Sequence, residues 1–222
     1  MKKFVFLIIC TGVLIACGHN TSQENTSDPA SATSVATLDR SKLKGSEFMD
    51  LFREIRPTEV NENVFKVFSE DYAVITSGVA RDYNSMVVSY GGWGILFEEP
   101  ATWCFLRANR YTLEYIRRNG RYTLAYFDDE DKESIMIFGT NSGRDTEKMN
   151  THQLHPVQTP EGNITYKEAR LIIECELSQI TSVHPEDYYW EKGKTFVQEG
   201  YEDAKDYHKL VFGRITHIWT RK

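Results

Sequence analysis

The sequence has few cysteines, no excess of basic charge and no apolar run long enough to span a bilayer. Four Cys in 222 residues, with no C-x-x-C pair and no Cys/His cluster at ligand spacing, exclude a disulfide scaffold and a zinc finger. Lys and Arg number 26 against 32 Asp and Glu, a net charge of −6, and no long one-sign run occurs. This argues against a nucleic-acid binder, because such proteins concentrate Lys and Arg to displace counterions from phosphates. No internal repeat is present. What remains, 41% hydrophobic and 13% aromatic, is the composition of a folded domain, and one domain of moderate size is expected.

The main apolar run of the N-terminus, Phe4 to Ile15, follows Lys2 and Lys3 and ends at Leu14-Ile15-Ala16-Cys17. A bilayer requires about 20 apolar residues, so this run is too short to span one; a basic flank and a small-residue cleavage site mark a secretion signal. The ending Leu-Ile-Ala-Cys resembles the bacterial lipobox, which implies that Cys17 is lipidated and becomes the first mature residue; an ordinary signal peptide with a chance Cys is the alternative. Residues 1–16 are thus expected to be a lipoprotein signal peptide. Residues 17–45, rich in Ser, Thr and Asn, have no apolar periodicity and are expected to be a flexible tether. Loss of Lys2 and Lys3 takes the net charge from −6 to −8, so acyl chains rather than charge would hold the protein at the membrane. Gly18, rather than Asp, follows the Cys, which by the usual sorting pattern favours the outer membrane. The expected location is extracytoplasmic and lipid-anchored, with residues 46–222 as the globular domain.

Phe48, Leu51, Phe52 and Ile55 recur at helical spacing behind Ser46, and Pro57 stops them, so a helix over 46–55 is expected. Six β-branched and aromatic runs read as strands: 72–77, 85–89, 102–106, 122–127, 171–177 and 209–219. A helical period returns between Arg110 and Arg118, closed by Asn119-Gly120, and Ser142-Gly-Arg-Asp145 reads as a capping box opening another helix. Without βαβ alternation, these elements predict a mainly β fold, a closed antiparallel barrel with flanking helices.

Three segments carry candidate chemistry. In Tyr83-Asn-Ser-Met-Val-Val-Ser-Tyr-Gly-Gly-Trp-Gly94 a strand with hydroxyls runs into three glycines, which let backbone approach a flat ligand; a polar strand with a glycine turn is the plainer reading. In Leu106-Arg-Ala-Asn-Arg-Tyr-Thr112 a strand ends where a helix begins. Thr112 and nearby backbone N–H groups then lie at a helix N-terminus beside Arg107 and Arg110, an arrangement that suits a phosphate, although such Arg are commonly solvated or paired with Glu. Phe138-Gly-Thr-Asn-Ser-Gly-Arg-Asp-Thr-Glu-Lys148 repeats the arrangement with Arg144 and Lys148, where Arg144 could instead pair with Asp145 or Glu147.

Taken in order, Asn84-Ser-Met-Val-Val-Ser-Tyr-Gly-Gly-Trp-Gly, Arg107-x-x-Arg-Tyr-Thr112 and Gly139-Thr-x-Ser-Gly-Arg-Asp-x-x-Lys148 resemble the flavin reductase-like family, and flavoredoxins in particular. The resemblance runs from about Pro57 to Ile218. It implies an FMN-binding split β-barrel, a homodimer and an oxidoreductase or electron carrier in which FMN carries the electrons, so no catalytic side chain is assigned. Carried over, Asn84, Ser85, Met86, Val87, Val88 and Ser89 would line the isoalloxazine and ribityl chain. Arg107, Arg110, Tyr111 and Thr112 would hold the phosphate, and Ser142, Arg144 and Lys148 would complete the anion pocket. The chain departs from the family where relatives commonly read Met-Thr-x-Ser-Trp-Gly-Gly, since Val87 lacks a hydroxyl, and at Arg214, where relatives often carry Glu. An exported domain also meets no cytosolic NAD(P)H, so its electrons are expected to come from a partner protein or from thiols instead, the acceptor being left open. The alternative to a flavoprotein is a non-catalytic surface module that binds a small ligand through the aromatic residues Tyr188-Tyr-Trp190, Tyr201 and Tyr207.

Four further features are weaker. His152 and His155 read as a surface pair rather than a metal site. His208 could approach the flavin pocket or pack within the fold. Asp128-Asp-Glu-Asp131 reads as a solvated turn into a helix rather than a calcium loop. Cys104 and Cys175 lie on apolar strands and are expected to be buried thiols, with a disulfide between them left open.

Overall fold

The computed structural model describes residues 46–144, 149, 154–201 and 206–222; the segments expected to be a signal peptide and a tether, with Cys17, as well as Lys148 and His152, lie outside them. Helix α1 (Ser46–Leu51) stops four residues short of the expected Ile55, and β1 (Phe52–Glu54) follows at once. Tertiary pairing overrides the helical spacing here: β1 joins β10 (His208–Arg221), with Phe52 opposite Arg221, and occupies backbone groups that β10 would otherwise leave open. Phe48 and Phe52 remain together, 4.8 Å between ring centroids, with Phe48 edge-on to Trp219.

The main sheet contains β2 (Ala73–Val79), β3 (Asp82–Val88), β4 (Gly91–Leu96), β5 (Glu99–Arg107), β6 (Arg121–Tyr126) and β9 (Leu171–Ser182) together with β10. Its order is β3-β2-β6-β9-β10-β5-β4, antiparallel throughout, with β1 on β10. The hydrogen-bonded ladder does not close. β3 and β4 are consecutive in the chain yet stand at opposite ends of the order, so the ladder is split between them. A separate hairpin pairs β7 (Pro156–Gln158) with β8 (Ile164–Tyr166).

The central strands read as apolar runs because both sheet faces are covered. Ile75, Leu124 and Ile173 enter one buried cluster with Leu106 and Leu113, whereas their neighbours Val74, Ala125 and Ile172 enter a second with Phe138, Tyr166 and Trp219. The glycines of β4 have a packing role. A Cβ on Gly92 would come within 2.7 Å of the Trp103 ring, and one on Gly91 would lie 2.5 Å from the Trp103 carbonyl. Gly91 to Gly94 therefore form a strand laid closely on β5, not the turn the sequence suggests.

Three helices complete the frame. α2 (Val64–Ser69) is capped by Asn63, whose side chain accepts from the Phe65 and Lys66 N–H groups. α3 (Tyr111–Asn119) ends at Gly120 in a left-handed conformation (φ 65°), as the Asn-Gly signal predicts. α4 (Lys132–Thr140) follows the acidic turn 129–131 and lies against β3, and α3 packs on β2 and β3. The N-terminus of α3 and the C-terminus of α4 thus arrive at the same edge strand. A further helix, α5 (Glu191–Glu199), belongs to the excursion between β9 and β10. Among the described residues, no helix is long and apolar enough to cross a membrane. Cys104 and Cys175 are free and buried, so the disulfide left open above is not formed.

Candidate functional site

A cleft of about 440 Å³ opens beside β3, walled by Asn84, Met86 and Val87, by residues 109–112 at the start of α3, and by residues 138–144 at the end of α4 and just beyond it. That size falls within the roughly 300–1,000 Å³ typical of cofactor pockets. Among the described residues β3 has a strand partner on its β2 side alone, which leaves alternate backbone N–H and C=O groups of its other edge for a ligand.

At one end of the cleft lies the N-terminus of α3. Among the described residues no side chain caps it, which leaves first-turn N–H groups and the positive end of the helix dipole toward the cleft. Arg110, at the cap position, is exposed and makes no ion pair among the described residues. The hydroxyl of Thr112 is held from behind, accepting a 2.6 Å hydrogen bond from Asn84 Nδ2. Ser142 lines the opposite wall and accepts from the Arg144 backbone N–H at 3.2 Å.

Of the residues the sequence assigns to the site, Asn84, Met86, Val87, Arg110, Tyr111, Thr112, Ser142 and Arg144 line this cleft. Others do not reach it. Ser85 is fully buried, and its hydroxyl is held in the interior, within 2.8 Å of Thr76 Oγ1 and 2.6 Å of Tyr166 Oη. Val88 belongs to the core, and Ser89 lies beyond the end of β3, outside the lining. Arg107 faces the excursion instead: it pairs with Asp206 at 2.9 Å, donates to the Gly200 carbonyl at 3.0 Å and lies over the Tyr201 ring.

Arg144 is engaged by a residue the sequence did not suggest. Its Nη1 donates to Glu114 Oε2 at 3.2 Å, Nη2 donates to Oε1, and the guanidinium lies 4.6 Å from the Tyr111 centroid. The hydrogen bond from Arg144 holds the Glu114 carboxyl below the usual carboxylate range. Asn109, Phe138 and Gly143 also line the cleft without having been singled out, although all three fall inside the quoted motifs. Glu114 carried no signal, since its partner is 30 residues away.

The remaining candidates have partners elsewhere, within the fold or on its surface. His208 Nδ1 meets the Tyr201 hydroxyl among the rings of Tyr90, Phe105 and Tyr201, and burial pushes its pKa down to about 4. His155 Nδ1 lies 2.6 Å from Glu168 Oε1, and Arg214 pairs with Glu176 at 2.7 Å. No cluster of three or more His, Cys, Asp or Glu able to hold a metal occurs among the described residues.

A family model described as a flavin reductase like domain matches residues 65–222. Among solved structures, the chain is similar to an FMN-binding protein from Thermus thermophilus with bound p-hydroxybenzaldehyde, at TM-score 0.53 and 17% identity, covering 76% of this chain and 81% of that one. It is similar to a flavoredoxin from Methanosarcina acetivorans at TM-score 0.52 and 15% identity, covering 76% and 75%. A third is an FMN-binding domain of a flavin reductases-like enzyme from Shewanella baltica, at TM-score 0.53 and 12% identity, covering 76% of each chain. At such identities the likeness concerns the fold. No curated protein matches the chain. The domain match spans well over half of the sequence, and the chain belongs to the flavin reductase-like family.

Proposed function

We propose that the protein binds FMN in the cleft beside β3 and works as a flavin-dependent oxidoreductase or electron carrier. The observation that carries this reading is the N-terminus of α3, which among the described residues has no side-chain cap and has Arg110 beside it without an ion pair, at one end of a cofactor-sized cleft. A helix N-terminus with an adjacent guanidinium suits a terminal phosphate. The open edge of β3 offers the alternating donors and acceptors that the polar edge of an isoalloxazine requires. FMN, when bound, supplies the electron and hydride chemistry. The chain's own residues bind and orient: Arg110, the Tyr111 and Thr112 N–H groups and the Ser142 hydroxyl hold the phosphate, and Asn84 fixes Thr112. Met86, Val87 and Phe138 supply apolar walls that exclude water.

Titration of the protein with FMN, followed by flavin fluorescence, tests this. Saturable binding is expected, weakened at least about tenfold in Arg110→Ala, since a hydrogen bond to a charged group contributes roughly 1.5–3 kcal/mol. Absence of binding at tens of micromolar would refute the reading. It would favour the non-catalytic ligand-binding module, for which Tyr189 and Trp190, 95% and 67% exposed, are the supporting observation.

The reading extends to location and partners. The lipobox-like Leu14-Ile15-Ala16-Cys17 supports export and anchoring through a lipidated Cys17, with the outer membrane favoured. Radiolabelled palmitate incorporated by the native chain and lost in Cys17→Ser is the expected result. Outside the cytoplasm the electron partner is a protein or a thiol rather than NAD(P)H, and rapid bleaching of the bound flavin by NADH or NADPH in a stopped-flow experiment would contradict that. Family resemblance supports a homodimer, which sedimentation would detect.

A further inference from the structure

The segment 142–144 closes the phosphate end of the cleft and is pinned there at several points. Gly143 lies so close that a Cβ on it would meet Asn84 Oδ1 at 2.1 Å and Tyr111 Cδ1 at 3.3 Å. The Arg144 guanidinium covers the Tyr111 ring and forms a two-pronged pair with Glu114. Tyr111 and Glu114 are three residues apart on α3, so one helix face presents the ring and the carboxylate together. The stack continues along that face. Tyr111 meets Tyr115 edge-on at 5.1 Å, Arg118 lies 4.3 Å over Tyr115, and both Tyr115 and Arg118 donate to Asp82 at the start of β3.

A mononucleotide ends at its single phosphate. A dinucleotide must carry a second phosphate and an adenosine past that point. The Tyr111 ring, which lines this end of the cleft, is covered by Arg144, and the negative charge on the second phosphate would approach the Glu114 carboxylate. We propose that the Glu114–Arg144 pair makes the cleft selective for flavin mononucleotide over flavin dinucleotide. Glu114 is a positioning residue in this scheme: it acts through Arg144 and the segment Arg144 fastens. The inference rests on the FMN reading above and adds a determinant of which flavin is admitted.

The test compares riboflavin, FMN and FAD binding to the full chain in detergent, wild type against Glu114→Gln, an isosteric change on an exposed side chain. FMN is expected to bind the wild type more tightly than FAD. In the variant the FMN-to-FAD affinity ratio is expected to fall about three- to tenfold, the scale of an exposed ion pair reinforced by bidentate geometry and stacking. Riboflavin affinity is expected to stay unchanged, because riboflavin has no phosphate to meet the clamp. Equal wild-type affinity for FMN and FAD, an unchanged ratio in the variant, or parallel weakening of all three flavins would overturn the proposal while leaving flavin binding intact. A wild-type chain that binds none of the three overturns the cofactor reading itself, and this inference with it.

Discussion

Asn84 Nδ2 donates a 2.6 Å hydrogen bond to Thr112 Oγ1, and the two residues, 2% and 1% exposed, tie edge strand β3 to the first turn of α3. The contact joins the two walls of the cleft directly. Replacing Thr112 with Val keeps the shape and strands the Asn84 amide, a loss of about 1–3 kcal/mol for a buried polar group left unpaired. Urea unfolding should show that loss, and FMN affinity should fall in parallel. Thr112→Ser, which keeps the acceptor, should restore both.

The same hydrogen bond explains why position 143 is glycine. A methyl group there would collide with Asn84 Oδ1 at 2.1 Å, and Asn84 cannot swing aside without releasing Thr112. Gly143→Ala should therefore displace the segment rather than unfold the domain. Overpacking of this kind costs about 1–3 kcal/mol, which corresponds to roughly a 5- to 150-fold loss of FMN affinity by titration. The thermal midpoint should move little, and an unchanged affinity would refute this account.

His208 makes stability depend on pH. Burial, with Arg107 and Arg110 nearby and Asp206 opposing them, lowers its pKa from an ordinary 6.5 to about 4. The unfolded chain then binds more protons than the folded one between those values, so the contribution is complete above pH 6.5 and is lost as pH falls through about 4. Its ceiling is about 3 kcal/mol. Unfolding midpoints at pH 7.5 and 4.5 should differ less in His208→Gln than in the native chain; an identical difference would remove His208 as the cause.

Cys104 and Cys175 should be chemically silent in the folded protein. Burial pushes the Cys175 thiol up to about 12 and raises Cys104 further above its ordinary value, so neither supplies thiolate at pH 8. A chromogenic thiol reagent should label neither until denaturant is added. Rapid labelling under native conditions would contradict their burial.

Much of the fold was legible locally. The apolar runs at β2, β6 and β9 are recoverable because both of their faces are buried, which leaves little polar alternation to confuse the reading. The end of α3 is recoverable because Asn119-Gly120 is itself a backbone instruction. β1 and β4 were not legible. Phe52 obeys a helical period until β10 captures it, and the glycines of β4 match a turn until Trp103 is known to lie against them. The site shows the same division. All three motifs meet at the cleft, but Ser85 and Arg107 within them turn elsewhere, toward Tyr166 and toward Asp206.

The sequence by itself determined the mainly β class, helix α3 with its terminus, and the segments that build the cleft, because each depends on neighbours a few residues away. Only the tertiary structure decided that Arg110 faces the cleft while Arg107 does not, that Asn84 rather than Ser85 braces α3, and that Glu114 fastens Arg144. Each choice is made by a partner distant along the chain: Asp206 lies 99 residues from Arg107, Thr112 lies 28 from Asn84, and Glu114 lies 30 from Arg144. Strand alternation and helix spacing specify which residues share a face. They do not specify what that face will meet.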